Sequence, residues 1–351
     1  MRIFLTGGGT AGHIYPAIAI GEELKKHADV EIFYVGVPGL LEEKIAEREG
    51  YKFLGIHSKP LYLKPSLKAI KSAHAFFKGL RESKKYIKEY KPDAVVATGG
   101  YVSGPIGYAA HLKKVPLFIH ESNAHYGVTT RFLDRYSDIT FYPFKDDIKN
   151  FKKSSNKVYG GIPIRSNFDH YDGQTEDLVL SFGGSGGQKS INEAVAEIFN
   201  THNDLPFRWV HISGLNWEKE FQEAVKNLPA YAEVYTYNHE LFDIMAKAKV
   251  VISGCGAQGL TEIAAMKKPS ILIPKSYVKE NHQYYNALKY YEKNAAQMIT
   301  EDQLNGEKLL AMVEDIIESK EKMNQMSENV GQFYEPDSAK IIAKNILEAL
   351  K

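Results

Sequence analysis

A chain of 351 residues, 44% hydrophobic and 25% charged, is long for one core and comfortable for two domains. A formal net charge of +1 gives no global basic field for nucleic acid, and a single cysteine, Cys255, excludes an internal disulfide and fits a reducing compartment. No signal peptide is expected, because the chain runs directly into a strand pattern, and no apolar run approaches the roughly 20 residues that span a bilayer.

In the first half, strand patterns at 2–6, 31–35, 94–98, 117–120 and 139–141 alternate with helical patterns such as 16–27, 40–49 and 67–90. That alternation predicts a parallel sheet with helices on both faces. Directly after the first strand comes Gly7-Gly8-Gly9-Thr10-Ala11-Gly12-His13, a literal G-x-G-x-x-G whose backbone N–H groups and helix end favour an anion. A dinucleotide site would also carry an acid at the end of the second strand. That strand ends Tyr34-Val35-Gly36-Val37-Pro38, which argues against an NAD-dependent oxidoreductase. His13 stands at the start of a helix, where the positive end keeps an imidazole neutral and fit to act as a base. A capping or packing histidine is the other reading, and spacing leaves both open.

The segment 67–81 mixes Leu67, Ile70, Phe76, Phe77 and Leu80 with lysines and Arg81. It reads either as an interfacial patch for an anionic membrane or as an amphipathic helix packed on its sheet. A second glycine loop, Thr98-Gly99-Gly100-Tyr101-Val102-Ser103-Gly104-Pro105, lies at a strand's carboxyl end, where open α/β sheets bind ligands. His120-Glu121-Ser122-Asn123 ends the next strand in the same way, as ligand groups or as a capped turn. Glycine and proline at 158–163 mark the join between halves. Arg165, just beyond, can reach a diphosphate in bidentate fashion or form a surface ion pair.

The second half repeats the plan with strands at 178–182, 208–212, 233–237, 250–253, 270–273 and 296–299. Its glycine turn is Gly183-Gly184-Ser185-Gly186-Gly187-Gln188. Ser253 to Glu262 lead a strand into a helix, with Glu262 expected in the first turn, either to accept two hydrogen bonds from a ribose diol or as a plain helix-start carboxylate. Gln283 and Asn286 share a helical face at i, i+3, and neutral amides suit the hydroxyls and acetamide of a sugar. Metal-ligand spacings, a nucleophile elbow and a Walker A lysine are missing from the sequence, so no metal and no cofactor are expected. The tail 338–351 reads as an amphipathic helix able to pack on either domain.

Taken together, these motifs resemble the MurG family. The resemblance rests on Gly8 to His13 with Pro16, Gly99 to Pro105, His120 to Asn123, Gly161-Ile162-Pro163-Ile164-Arg165, Gly183-Gly184-Ser185 with Asn192, Glu262 to Ala265, and Gln283-x-x-Asn286-Ala287. It implies an α/β chain of the GT-B fold, two Rossmann-like parallel-sheet domains facing a central cleft. Residues 1–160 would form the acceptor and membrane-docking domain, with the helix 338–351 packing back on it, and 161–337 the UDP-sugar domain. The implied activity is transfer of N-acetylglucosamine from UDP-GlcNAc to the 4-hydroxyl of lipid I, the undecaprenyl-diphosphate-linked muramoyl pentapeptide. The product, lipid II, feeds peptidoglycan and through it cell shape and division, and the place of work is the cytoplasmic face of the cell membrane.

Residue by residue, the resemblance places Gly9, Gly99, Gly100, Tyr101, Ser103 and Gly104 on the acceptor. His13, Thr10 and Asn123 lie on that same side, with Thr10, Gly12 and Asn123 also reaching the donor. Arg165 and Ser185 would hold the donor diphosphate, Asn192 would also bind the donor, Glu262 would bind the ribose, and Gln283 with Asn286 the GlcNAc. Ile70, Phe76, Phe77 and Leu80 would face the membrane. Departures cluster in the donor half. The family's Gly-Gly-Ser-Gln-Gly-Ala is here Gly183 to Gln188, its Arg-Ser-Gly-Ala is Gly254-Cys255-Gly256-Ala257, so an arginine is lost, and its aromatic-isoleucine pair is Tyr237-Asn238. These departures keep two alternatives in view: a relative using another sugar nucleotide or lipid-linked acceptor, and a non-catalytic lipid-carrier binding protein. The expected chemistry is one inverting displacement, with His13 as first candidate base and Glu121 as second, and with hinge closure near Gly160-Gly161 and Glu335-Pro336.

Overall fold

A strand apolar on both faces belongs in a sheet covered on both sides, and β1 (Arg2–Thr6) is such a strand. Its Ile3 and Leu5 enter one hydrophobic layer while Phe4 enters the opposite one. The computed structural model describes residues 1–60, 66–146, 156–164, 175–184 and 186–351. The chain divides into two compact units, Met1–Arg165 with Glu335–Lys351, and Ser166–Tyr334.

Unit one continues with α1 (Ala11–His27), β2 (Glu31–Gly36), α2 (Leu41–Arg48), β3 (Lys52–Gly55), α3 (Leu67–Tyr90), β4 (Ala94–Ala97), α4 (Ser103–Lys113), β5 (Leu117–His120), α5 (Val128–Leu133), β6 (Ile139–Tyr142) and β7 (Asn156–Tyr159). Its seven strands are parallel in the order β3-β2-β1-β4-β5-β6-β7. Unit two holds β8 (Leu178–Phe182), α6 (Lys189–Thr201), β9 (Arg208–Ile212), α7 (Glu218–Ala224), β10 (Ala232–Tyr235), α8 (Leu241–Lys247), β11 (Val250–Gly254), α9 (Ala257–Ala265), β12 (Ser270–Ile273), α10 (His282–Glu292), β13 (Gln297–Met298), α11 (Gly306–Ile317) and α12 (Lys320–Gly331). Its sheet is also parallel, β10-β9-β8-β11-β12-β13. Each sheet therefore has the doubly wound order, with a reversal between β1 and β4 in one and between β8 and β11 in the other.

The last helix, α13 (Ser338–Ala349), returns to unit one and packs on α1. Ile342, Ala343 and Ile346 are buried in the same layer as Ile3, Ile14 and Phe141. At roughly 1.5–3 kcal/mol for each large apolar side chain fully buried, this helix is part of the core. Ser338 Oγ donates to the Gly160 carbonyl at 2.5 Å, fixing the helix start against the exit of β7.

Two edge strands were not expected from sequence. β3 is only four residues long and partly exposed, and β7 begins with Asn and Lys, so neither shows the apolar run of a central strand.

Candidate active site

The first candidate site stands at the carboxyl ends of β1 and β4, on either side of the reversal in unit one. Two glycine turns interlock there. Gly100 has φ +80°, and a side chain on it would run into the Gly8 carbonyl. Gly99 has φ +107°, and its Cβ would stand 2.7 Å from His13 Cδ2. Only glycine accepts both demands. Thr98 ties the turns together, its Oγ1 lying 2.5 Å from the His13 carbonyl and 3.2 Å from that of Thr6.

His13 sits in the first turn of α1, after the N-cap Thr10. Its Nδ1 lies 3.0 Å from the Gly8 carbonyl and 3.2 Å from Thr10 Oγ1. A carbonyl can only accept, so Nδ1 bears the proton and Nε2 carries the basic lone pair. Beneath the same turn lies Glu42, in the first turn of α2 and buried. It accepts long hydrogen bonds from Gly9 N at 3.5 Å and Val37 N at 3.3 Å. A Cβ on Gly8 would meet Glu42 Oε1 at 2.6 Å. The first turn is thus backed by the protein's own carboxylate, a residue that sequence reasoning missed. The acid sought at the end of β2 arrives one turn later and meets backbone. Tyr101 packs its ring over Gly9, and desolvation, then the charge of Glu42, pushes its phenol pKa up.

Glu121 is buried and gathers the loop after β5. Its Oε1 accepts from Ser122 N at 3.0 Å, Asn123 N at 2.9 Å and Asn123 Nδ2 at 3.0 Å, and its Oε2 accepts from Gly127 N at 3.2 Å. This carboxylate is a loop clamp. The neighbouring His120 donates from Nε2 to the Gly161 carbonyl at 2.8 Å, and burial holds its pKa below the ordinary range.

The second candidate site surrounds the turn between β8 and α6. Glu301 is its hub. Ser190 Oγ donates to Oε1 at 2.7 Å, while Ser276 N and Oγ donate to Oε2 at 2.7 and 2.6 Å. Gln188 Nε2 lies 3.0 Å from Glu301 Oε1 and 3.1 Å from the Ile273 carbonyl. Desolvation works to raise the Glu301 pKa, but the bonds from Ser276, Ser190 and Gln188 together hold it low. Gln283 Oε1 accepts from Lys275 N at 3.1 Å and Cys255 N at 3.3 Å, and Asn286 Nδ2 donates to the Cys255 carbonyl at 3.1 Å. Asn192 Nδ2 donates to the Ser213 carbonyl at 3.0 Å.

The glycosyltransferase family 28 N-terminal domain matches residues 3–142 and the family 28 C-terminal domain residues 178–342. Relatives named UDP-N-acetylglucosamine–N-acetylmuramyl-(pentapeptide) pyrophosphoryl-undecaprenol N-acetylglucosamine transferase include one from Finegoldia magna, 37% identical over 99% of this chain and 97% of its own. Another, from Listeria monocytogenes, is 36% identical over the whole of both chains. The chain belongs to the MurG family of glycosyltransferases. The crystal structure of MurG from Acinetobacter baumannii shares its fold, with a TM-score of 0.80 and 23% identity over 99% of each chain. Both units are thereby Rossmann-like halves of the GT-B type.

Against the MurG motif set, the structure brings Gly9, Thr10, Gly12, His13, Gly99, Gly100 and Tyr101 together around one pair of turns. Arg165 and Ser185 lie outside the described residues. Several expectations need correction. Glu262 is in the second turn of α9, whose first turn holds no acid, because the helix already starts at Ala257. Ser103 is buried and donates to the Gly99 carbonyl at 2.7 Å, and Gly104 is buried in α4 against Phe76, so both shape the second glycine loop of unit one from behind. Asn192 and Asn286 are likewise buried, with the backbone contacts given above. On α3 the exposed apolar residues are Leu67 (77%), Ile70 (66%) and Phe77 (67%), whereas Leu80 is 8% exposed and belongs to the core. Phe76 is half-buried, edge-on to Phe132 at 6.3 Å. No helix among the described residues is long and apolar enough to cross a membrane. Nor do the described residues include a cluster of three or more side chains fit to hold a metal ion.

Proposed function

We propose that the protein transfers N-acetylglucosamine from UDP-GlcNAc to the 4-hydroxyl of the muramoyl pentapeptide of lipid I, forming lipid II for peptidoglycan. The observation that carries this reading is the relationship to transferases of that name, 37% identity along 99% of the chain. Those relatives share one donor and one acceptor in their names, which favours this reading over another sugar nucleotide or a non-catalytic binder.

Unit one receives the acceptor and unit two the donor. His13 Nε2 takes the proton of the attacking hydroxyl, directly or through one water, while Gly8 holds the ring by its other nitrogen. Glu121 serves the reaction by holding Asn123 and its loop, which leaves His13 as the base. The hydroxyl attacks the anomeric carbon opposite the departing UDP and gives a β1→4 link. Amide N–H groups of the second glycine turn, the N-terminus of α6 and Arg165 stabilise the charge that grows on the leaving diphosphate. Glu262 binds the ribose from the second turn of α9. The exposed face Leu67, Ile70 and Phe77, flanked by Lys68 and Lys71, rests on the anionic cytoplasmic leaflet and brings the site to its lipid-linked substrate.

The test is transfer of radiolabelled GlcNAc from UDP-GlcNAc to a short-chain lipid I analogue by the purified protein. Stoichiometric release of UDP with a disaccharide product is expected. Binding of UDP-GlcNAc without any product would overturn the assignment.

A further inference from the structure

In unit two a cation lies against the second glycine turn. Lys275 follows β12, and its Nζ donates to the Gly187 carbonyl at 2.9 Å. Among the described residues that is the ammonium's one hydrogen bond, and it forms no ion pair. The nearby Glu301 attracts it, yet the oxygens of Glu301 are taken by Ser276, Ser190 and Gln188. An ammonium has three N–H donors, so two remain for a ligand at the turn.

In the turn after β11, Gly254 and Gly256 carry no side chain and that of Cys255 is buried. A Cβ on Gly254 would meet Gln188 Oε1 at 2.7 Å, so Gln188, itself buried, occupies the space beside that backbone. Any side chain at position 254 would have to displace Gln188. Lys189, also beside the turn, is exposed and lies 3.4 Å from Glu193 one helical turn on. We infer that Lys275 is a cation that unit two contributes to the donor diphosphate subsite, donating to diphosphate oxygens of the nucleotide from the β12 side of the turn. Burial lowers the pKa of this ammonium, and a bound dianion acts in the opposite direction.

This inference rests on the reading that unit two binds UDP-GlcNAc, and calorimetric titration of the full chain with UDP, UMP and uridine separates the two. Lys275→Met is expected to weaken UDP binding about tenfold or more and leave uridine within about twofold, since a hydrogen bond to a charged group is lost but no base contact is. Lys275→Arg keeps the charge and should hold UDP affinity within about threefold of the parent. The dependence of UDP affinity on salt should also flatten in Lys275→Met. UDP binding by Lys275→Met equal to the parent, or an equal loss for uridine, overturns the lysine assignment alone. Absence of UDP binding by the unsubstituted protein overturns the donor reading and the assignment with it.

Discussion

Because the Gly8 carbonyl can only accept, His13 keeps its proton on Nδ1 and offers Nε2 to a hydroxyl. His13→Gln should lower kcat about 100-fold or more while leaving UDP affinity and the melting temperature close to the parent. Single-turnover transfer and calorimetry read those quantities separately. Gly99→Ala tests the other side of the ring. Its φ of +107° and the 2.7 Å approach to His13 Cδ2 leave no relaxed place for a methyl group. A stability loss of about 1–3 kcal/mol in urea unfolding is expected, with reduced turnover as the imidazole is pushed aside. A different histidine, buried in unit two, contributes to its response to acid. Trp209 Nε1 donates to Ser181 Oγ at 2.8 Å, which leaves the hydroxyl to donate to His211 Nδ1 at 2.8 Å. Burial brings the His211 pKa down to about 3. The folded state therefore resists a proton that the unfolded chain accepts below its ordinary pKa of about 6.5, so this contribution is complete above that pH and is lost as the pH falls. Stability should decline by up to about 1.4 kcal/mol per pH unit from this group below about pH 6, and His211→Gln should flatten that part of the profile.

At the scale of elements, the glycine turns were legible because a positive φ next to a strand end leaves a residue-type signature. The central strands were legible because burial on both faces demands an unbroken apolar run. What the local pattern does not contain is the partner brought from elsewhere. Glu42 reaches the first turn from α2, and Gln283 and Asn286 share a face, as their spacing implies, but the face meets the backbone of Cys255. The start of α9 was also misplaced, because glycines at 254, 256 and 259 hide the point where extended backbone becomes helix. The helix α3 illustrates how a mixed composition separates into two faces. Ser72, Ala75, Gly79, Leu80, Ser83 and Ile87 recur at helical spacing and are buried, while Leu67, Ile70 and Phe77 point outward. Ile70→Asp with Phe77→Ser should reduce co-sedimentation with anionic vesicles several-fold at unchanged melting temperature. Leu80→Ala should do the reverse, costing about 2–5 kcal/mol of stability with vesicle binding retained.

For the whole molecule, the chain crosses from the first unit to the second after Arg165 and returns after Tyr334. The returning helix closes the layer that holds α1, and Gly160 comes so near that a Cβ on it would lie 3.0 Å from Ile342. A charge in that layer has no partner, so Ile342→Asp should destabilise unit one by about 4 kcal/mol. Transfer should fail in this variant while UDP titration still reports binding to unit two, a separation that calorimetry and the transfer assay detect together.

The cover supplied by α13 has a consequence for synthesis. Ribosomes extend a chain at about 5–20 residues per second, so the helix that completes the first half emerges on the order of ten seconds or more after that half has left the exit tunnel. Through that interval the α1 layer is open to solvent and to chaperones, while the second half can assemble from contiguous chain. The half made first is the half finished last, and any stall short of Ser338 leaves an adhesive apolar surface on the nascent protein.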